Sequence, residues 1–262
     1  MSTATAPRLH QLVGVRAQEI RTVWLFFFHN FFLGVGTILV YVAANVILLE
    51  NNPETSLPVA YMASAVAMVG VGYLYSYFEH HLMLRTLALR VLWAVVVLTG
   101  VIAVLVAVGH TVVAAVAIMA GYRLIYMLTN LEFWGVTAVV FDIRQGKRLF
   151  GVISAGDMPA KAMGAILAAV IHDHTSLLFL LLISFGAFMA ALAALRLTFQ
   201  SHEVHAAHRP ERVGRQSRSR WVSSVFGGNE LVVYMCLSLG ALATVGTQIE
   251  YNFFINIKYR FQ

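Results

Sequence analysis

Seven apolar runs divide the sequence, and each is about 20 residues long or longer, the length that a helix needs to cross a hydrocarbon layer roughly 30 Å thick. They lie at residues 23–49, 58–80, 91–109, 113–141, 149–171, 177–199 and 231–256. Of the 262 residues, 60% are hydrophobic and only 11% are charged, whereas about 25% of the residues of a soluble domain are charged. The sequence therefore predicts an all-α membrane protein with seven transmembrane helices.

Lys and Arg residues are concentrated in alternate loops. Fourteen of the 18 lie before the first run, at the end of the sixth run, or after the second, fourth and sixth runs, and the loops at 50–56, 110–111 and 172–176 hold none. Cytoplasmic loops of membrane proteins carry an excess of Lys and Arg, so the N-terminus and the basic loops are predicted to be cytoplasmic. The net charge of +6 follows from this topology and does not indicate a nucleic-acid partner.

The fourth run contains charged residues. At 100° per residue, Arg123, Asn130 and Trp134 share one face of its helix, and Glu132 points to the opposite face. An unpaired charge in hydrocarbon costs several kcal/mol or more. Each of the two charges is therefore predicted to find a partner on another helix or in a wet cavity, and one face is predicted to line a path through the bundle.

A charged cluster follows the fourth run, and a charged pair lies in the fifth. The cluster is predicted to anchor the cytoplasmic end of helix four; its members are Asp142, Arg144, Lys147 and Arg148. In the fifth run Asp157 and Lys161 are four residues apart, which places them on one helix face. Pro159 between them is predicted to kink this helix. The pair is either a self-neutralised structural pair or a cationic contact for an anionic substrate in which Asp157 holds Lys161.

Other features give weaker signals. Gly151, Gly156 and Gly164 are typical of close helix packing. His29 in the first run is either a hydrogen-bonding packing residue or a ligand for a haem-like pigment. The paired loop histidines are not accompanied by acids or cysteines at metal-ligand spacing. We find no catalytic constellation, so the sequence predicts a protein that is not an enzyme and has no cofactor.

One block of the sequence is similar to a known family. Asn130-Leu-Glu-Phe-Trp-Gly135 and Phe141-Asp-Ile-Arg-Gln-Gly-Lys-Arg-Leu-Phe-Gly151 belong to the stretch 123–157. This stretch resembles the helix-four-to-five segment of bacterial membrane proteins related to the ATP/ADP translocases, within the major facilitator superfamily. The superfamily's usual motif after helix two is not recognisable in FEHHLMLRTLALR, residues 78–90.

The resemblance implies a fold and a location. It implies a major-facilitator-like six-helix N-terminal bundle, made of two three-helix repeats, followed by a seventh transmembrane helix. The corresponding segments are a cytoplasmic N-terminal segment 1–22, the bundle 23–199, a basic cytoplasmic linker 200–230, and a seventh helix 231–262 that begins a truncated second half. The expected location is the bacterial inner membrane, and the expected partner is a missing C-terminal half or another chain.

The resemblance also implies exchange of ATP, ADP or another phosphorylated anion across the membrane. The predicted substrate contacts are Arg123, Asn130 and Lys161, with Asp157 competing for Lys161. Structural or gating roles are predicted for the remaining polar residues of this region, Glu132, Trp134, Asp142, Arg144, Lys147 and Arg148. The alternative is a non-transporting membrane anchor, sensor or assembly subunit, in which the same charges hold helices together.

The charge distribution makes a prediction about topology. Single cysteines placed in segment 50–56 and in segment 201–220 of a variant without Cys236 are expected to differ in reaction with a membrane-impermeant thiol reagent. The first is expected to react in intact cells and the second only after permeabilisation, because only the first segment is expected outside the cytoplasm. The reverse labelling pattern would contradict the predicted orientation.

Overall fold

The computed structural model describes residues 15–16, 19–51, 53–108, 111–172, 176–201 and 230–261. Nearly all of these residues are helical, and no strand occurs among them. In chain order the helices are α1 Ile20–Glu50, α2 Pro53–His81, α3 Leu84–Val108, α4 Val112–Val140, α5 Ile143–Ser154, α6 Asp157–His172, α7 Leu177–Ser201 and α8 Glu230–Phe261. Contacts divide the chain into a unit 1–206, which holds α1 to α7, and a unit 207–262, which holds α8.

Five helices of the described part are long and apolar enough to cross a membrane: α1, α2, α3, α4 and α7. The chain is therefore an all-helical, multi-pass membrane protein. The sixth predicted run corresponds to α7, and the seventh lies within α8. The predicted linker 200–230 falls almost entirely outside the described residues.

The predicted fifth membrane helix, 149–171, is corrected by the structure to two helices. α5 ends at Ser154, a turn occupies 155–156, and α6 begins at Asp157. Pro159 has no N–H to donate to the carbonyl of Ala155, and its ring would clash with that carbonyl in a continuous helix. Proline is tolerated in the first turn of a helix, where Pro159 now lies.

α5 begins before the apolar run and is amphipathic. Leu149 and Ile153, one turn apart, are fully buried, whereas Arg144 and Lys147 are exposed. The apolar stripe packs toward α1, and the polar face carries the basic residues. The predicted apolar run begins at residue 149, six residues after the first residue of this helix, because polar residues dominate the first two turns.

α1 is the central helix of the first unit. It packs most extensively against α7 and also packs against α6 and α4. The pattern of contacts has an internal symmetry. The α1–α7 contact corresponds to the α3–α4 contact, and the α1–α6 contact corresponds to the α2–α4 contact. The α1–α4 and α3–α7 contacts each correspond to themselves. Exchanging α1 with α4, α2 with α6 and α3 with α7 reproduces the same set of main contacts.

Glycines allow α6 and α7 to approach α1 closely. A Cβ atom at Gly34 would lie 2.7 Å from the Cβ of Ala160 in α6, and one at Gly36 would lie 2.7 Å from the Phe188 ring in α7. A Cβ at Gly156 would lie 2.7 Å from the backbone oxygen of Phe27. Gly164 likewise contacts α1, but a Cβ atom at Gly151 would meet nothing within 4 Å, so the prediction of close packing at Gly151 is wrong.

We expect Gly34→Ala to lower the thermal stability of the purified protein. The added methyl group would overlap Ala160, whose Cβ cannot rotate away, and overpacking of this kind costs about 1–3 kcal/mol. Gly70→Ala is the matched control, because Gly70 also lies within a helix and a Cβ there meets nothing within 4 Å. Equal unfolding temperatures for the two variants would contradict this account of the α1–α6 contact.

Candidate functional site

A cavity of about 180 Å³ lies between α1, α4 and the junction of α5 with α6. Its polar lining includes Asn30 and Thr37 of α1, Asn130 and Trp134 of α4, and Asp157 and Lys161 of α6. Four of the residues predicted from the sequence as functional are thus brought to one place. Asn30 was not among the predicted residues.

The charged wall of the cavity is the Asp157–Lys161 pair. Lys161 Nζ donates to Asp157 Oδ2 at 2.6 Å, and their side chains are 40% and 33% exposed. Asp157 is the first residue of α6, where the partial positive charge of the helix N-terminus favours a carboxylate. An ammonium group has three donors, so Lys161 has the capacity to bind an anion while it is still paired with Asp157.

The opposite wall is formed by α4. Asn130 and Trp134 are one helical turn apart, and both line the cavity. Asn130 Nδ2 donates to the carbonyl of Tyr126 at 2.8 Å, which holds the amide along its own helix. The Trp134 ring meets the ring of Phe133 in α4 and the ring of Phe150 in α5 edge-on, at centroid distances of 5.2 and 5.9 Å. The wall thus offers one amide beside an aromatic surface.

Asn30 explains how the break between α5 and α6 is accommodated. Its Nδ2 donates to the carbonyls of Ile153 and Ser154, each at 3.3 Å. The last carbonyls of a helix have no partner within the helix, and in an apolar surrounding such groups must be satisfied by protein. An asparagine inside an apolar run can indicate a structural hydrogen bond of this kind. The sequence did not show which carbonyls the Asn30 amide would reach.

Arg123 is not among the residues that line the cavity, although the sequence analysis grouped it with Asn130 and Lys161 as a predicted substrate contact. Its guanidinium lies over the rings of Tyr61 in α2 and Tyr122, 5.4 and 5.7 Å from their centroids. Arg123 and Asn130 do lie on one face by helix geometry, but seven residues separate them by about 10 Å along the axis. Helix periodicity gives the direction of a side chain around the axis but not its depth.

Glu132 lies on the other side of α4, buried against α1. Its Oε2 is 3.0 Å from Nε2 of His29, and Nδ1 of His29 is 3.0 Å from the carbonyl oxygen of Ala191 in α7. Both ring nitrogens therefore have hydrogen-bond partners, so neither is available to ligate a haem-like pigment. Among the described residues there is also no group of three side chains suited to a metal ion.

The cluster after α4 divides into capping, pairing and exposed residues. Asp142 forms a capping box with Gln145 at the start of α5, and its N–H donates to Gln145 Oε1 at 3.1 Å. Arg148 Nη2 lies 2.7 Å from each carboxylate oxygen of Glu19, just before α1. Arg144 and Lys147 are exposed. The cluster thus ties α5 to the beginning of α1, through a glutamate that the sequence analysis did not identify.

Glu19 receives several donors. Burial alone would raise the pKa of its carboxyl group, but the Arg16 N–H, the Arg148 charge and the Gln145 amide outweigh burial and hold the pKa below its ordinary value. Because the folded-state pKa is lowered, the stabilisation is present above the unfolded-state pKa and is lost as the pH falls through the folded-state pKa.

We expect Glu19→Gln to remove part of the acid sensitivity of the protein. At neutral pH the loss of the ion pair between Glu19 and Arg148 should lower the free energy of unfolding by about 1 kcal/mol. This value lies between those typical of exposed ion pairs and of charged hydrogen bonds. The cost should shrink as the wild-type carboxylate becomes protonated at acid pH. Thermal unfolding against pH measures this effect. Lys147→Gln changes an exposed residue of α5 next to Arg148 and should leave the wild-type pH profile of stability unchanged.

Comparisons of the chain with protein-family models, with curated proteins and with solved structures give no match. The resemblance to translocase-related proteins therefore rests on the quoted sequence blocks alone. The geometry of the described residues assigns the chain to the all-helical, multi-pass membrane proteins.

Proposed function

We propose that the chain is part of a secondary membrane transporter that binds a phosphorylated anion in the cavity between α1, α4 and α6. The observation that carries the proposal is a partly exposed lysine inside a helix bundle of membrane-spanning length. Intramembrane ionisable residues are costly and are found mainly on ion and substrate pathways. Lys161 supplies the positive charge, and the Asn130 amide supplies a neutral polar contact.

Asp157 gives the site a way to respond to its substrate. Lys161 binds Asp157 when the cavity is empty, and an incoming phosphate oxygen competes with that carboxylate for the ammonium. Because Asp157 starts α6 beside the break, its release changes the contacts at the α5–α6 junction. This provides a link between binding and the movement of α6 against α1.

The volume limits what the cavity encloses. Sites for small molecules usually measure about 300–1,000 Å³, and this cavity measures about 180 Å³. It therefore suits a phosphate group better than a complete nucleotide. For an ATP/ADP-type substrate, the base and sugar would lie against a second helix bundle, supplied by the same polypeptide or by a partner chain. Rocking of two bundles about a shared site is the usual mechanism of such carriers.

The symmetry of the helix contacts supports the major-facilitator-like arrangement. Two three-helix repeats, with α1 corresponding to α4, α2 to α6 and α3 to α7, account for the observed pairing. In this arrangement α6 must cross the membrane together with the turn at 155–156, since its 16 residues span only about 24 Å. The basic segment 142–148 and the end of α7 at Ser201 then lie on one side, which we propose is the cytoplasmic side of a bacterial inner membrane.

A non-transporting anchor, sensor or assembly subunit is the second candidate. The observation in its favour is that these cations have contacts within the chain: Lys161 pairs with Asp157, and Arg123 lies over the Tyr61 ring. In that case the cavity would be a packing defect at the helix break. A direct test of substrate binding and uptake separates the two functions.

The transport proposal predicts a specific loss of function in Lys161→Gln. Proteoliposomes loaded with unlabelled nucleotide should take up labelled ATP or ADP with the wild-type protein. The Lys161→Gln variant should bind at least about tenfold more weakly, since a charged hydrogen bond contributes about 1.5–3 kcal/mol. Asp157→Asn should bind more tightly than wild type, because it removes the competing carboxylate.

Two further variants serve as controls for this assay. Lys147→Gln removes an exposed cation outside the cavity and should transport normally. Arg123→Gln should have a smaller effect on affinity than Lys161→Gln, because Arg123 lies outside the cavity lining. If wild type neither binds nor transports phosphorylated anions, or if folded Lys161→Gln behaves as wild type, the anchor or assembly function is the better interpretation.

A further inference from the structure

The contact between His29 and Glu132 is the most deeply buried charged contact in the described part of the chain. Their side chains are 1% and 0% exposed, and Nε2 lies 3.0 Å from Oε2. On the other side of the imidazole ring, Nδ1 lies 3.0 Å from the carbonyl oxygen of Ala191. The ring thus connects three helices, α1, α4 and α7.

The positions of the hydrogen atoms follow from the partners. A carbonyl oxygen only accepts hydrogen bonds, so Nδ1 must carry a proton and donate it to Ala191. In the neutral ring Nε2 then has a lone pair, and an ionised carboxylate also presents only lone pairs. The 3.0 Å contact between Nε2 and Oε2 therefore requires one additional proton, on either the ring or the carboxyl group.

We propose that His29 and Glu132 form a binding site for a single exchangeable proton, and that this proton holds α1 against α4. The two microscopic forms, imidazolium with carboxylate and imidazole with carboxylic acid, contain the same number of protons and are both neutral overall. The proton therefore belongs to the pair and not to either residue. Its loss leaves a buried net charge of −1 and two facing lone pairs.

The second carboxylate oxygen increases the effect of this proton. Glu132 Oε1 is buried, and no hydrogen-bond donor reaches it from the described part of the chain. After the proton leaves, neither oxygen of the carboxylate has a donor, and a charge in that position is strongly unfavourable. Relief requires α1 and α4 to separate or water to enter. Proton loss is thus coupled to a change in the packing of these helices.

The proton site lies directly behind the cavity. Asn30 follows His29 in α1, Phe133 follows Glu132 in α4, and both line the cavity. The Phe133 ring stacks on the His29 ring with centroids 6.2 Å apart. A movement of α1 relative to α4 at the proton site therefore alters the cavity walls. This coupling needs no contact between the proton and the substrate.

Other ionisable groups on the surrounding helices have their own contacts. Tyr75 of α2 lies within electrostatic range of both Glu79 and Glu132, and it packs on α4 at Gly135. Arg123 lies over Tyr61, Lys161 pairs with Asp157, and Arg148 pairs with Glu19. Arg196 of α7 lies over Trp93 of α3. Of the ionisable groups in the described helices, His29 is the one in hydrogen-bond contact with Glu132.

The test compares the pH dependence of stability in Glu132→Gln and wild type. The amide of the Glu132→Gln variant can donate to Nε2 of the neutral ring, so this variant keeps the bridge without a titrating proton. We expect the unfolding temperature of wild type to fall by several degrees as the pH rises from about 5 to about 10, a range on both sides of the ordinary histidine value. The profile of Glu132→Gln should lack this fall. Glu79→Gln, at an exposed acid of α2, should follow wild type.

A second measurement reports the proton directly. Nitrogen NMR of ¹⁵N-histidine-labelled full-length protein in lipid nanodiscs, assigned with His29→Gln, should show the His29 ring signals change over the same pH range as the loss of stability. An unchanged His29 signal throughout that range, or a fall in Glu132→Gln equal to that in wild type, would overturn the proposal. No substrate is present in either measurement, so the result does not depend on the transport function.

Discussion

The hydrogen bond between His29 and Glu132 joins the two helices around which the other helices of the first unit pack. α1 contacts α7, α6 and α4, and α4 contacts α2 and α3. In a hydrocarbon surrounding no water competes for these polar atoms, so a helix that carries one of them is oriented by the position of its partner. Glu132 lies on the face of α4 that meets α1, and its hydrogen bond to His29 favours that orientation. Asn130 and Trp134, on the other side of that helix, are consequently directed to the cavity.

The cavity lies where the helix after α4 is interrupted. Pro159 prevents a continuous ladder of hydrogen bonds, and the carbonyls of Ile153 and Ser154 accept hydrogen bonds from Asn30 instead. Gly156 allows the backbone of the turn to lie directly against α1. Irregular backbone at membrane depth is tolerated where protein satisfies it. The same interruption places Asp157 at a helix start and Lys161 one turn later, and both residues line the cavity.

Charged residues have three different environments in the first unit. Glu19 and Arg148 connect helix ends, Lys161 and Asp157 line a cavity, and Glu132 is fully buried with His29. The side chains of the cavity pair are the most exposed, those of Glu19 and Arg148 are less exposed, and those of Glu132 and His29 are buried. The energetic consequence of a change in protonation increases with burial. The proposed carrier function would require a site that exchanges partners, and the partly exposed cavity pair is suited to this. A buried pair that shares one proton provides a fixed connection that responds to pH.

Composition, run length and the positions of basic residues were sufficient to predict a multi-pass helical membrane protein, because the thickness and polarity of a bilayer act on each segment separately. The i, i+4 spacing likewise predicted the Asp157–Lys161 pair, since both residues lie on one helix. The partners of Glu132 and Arg148 lie 103 and 129 residues away in the chain, and helix periodicity gives a direction around an axis but neither a depth nor a neighbour. The tertiary structure alone decided that Arg123 lies over Tyr61 and not in the cavity, that Asn30 closes the helix break, and that His29 meets Glu132, because each of these contacts depends on which helices pack together.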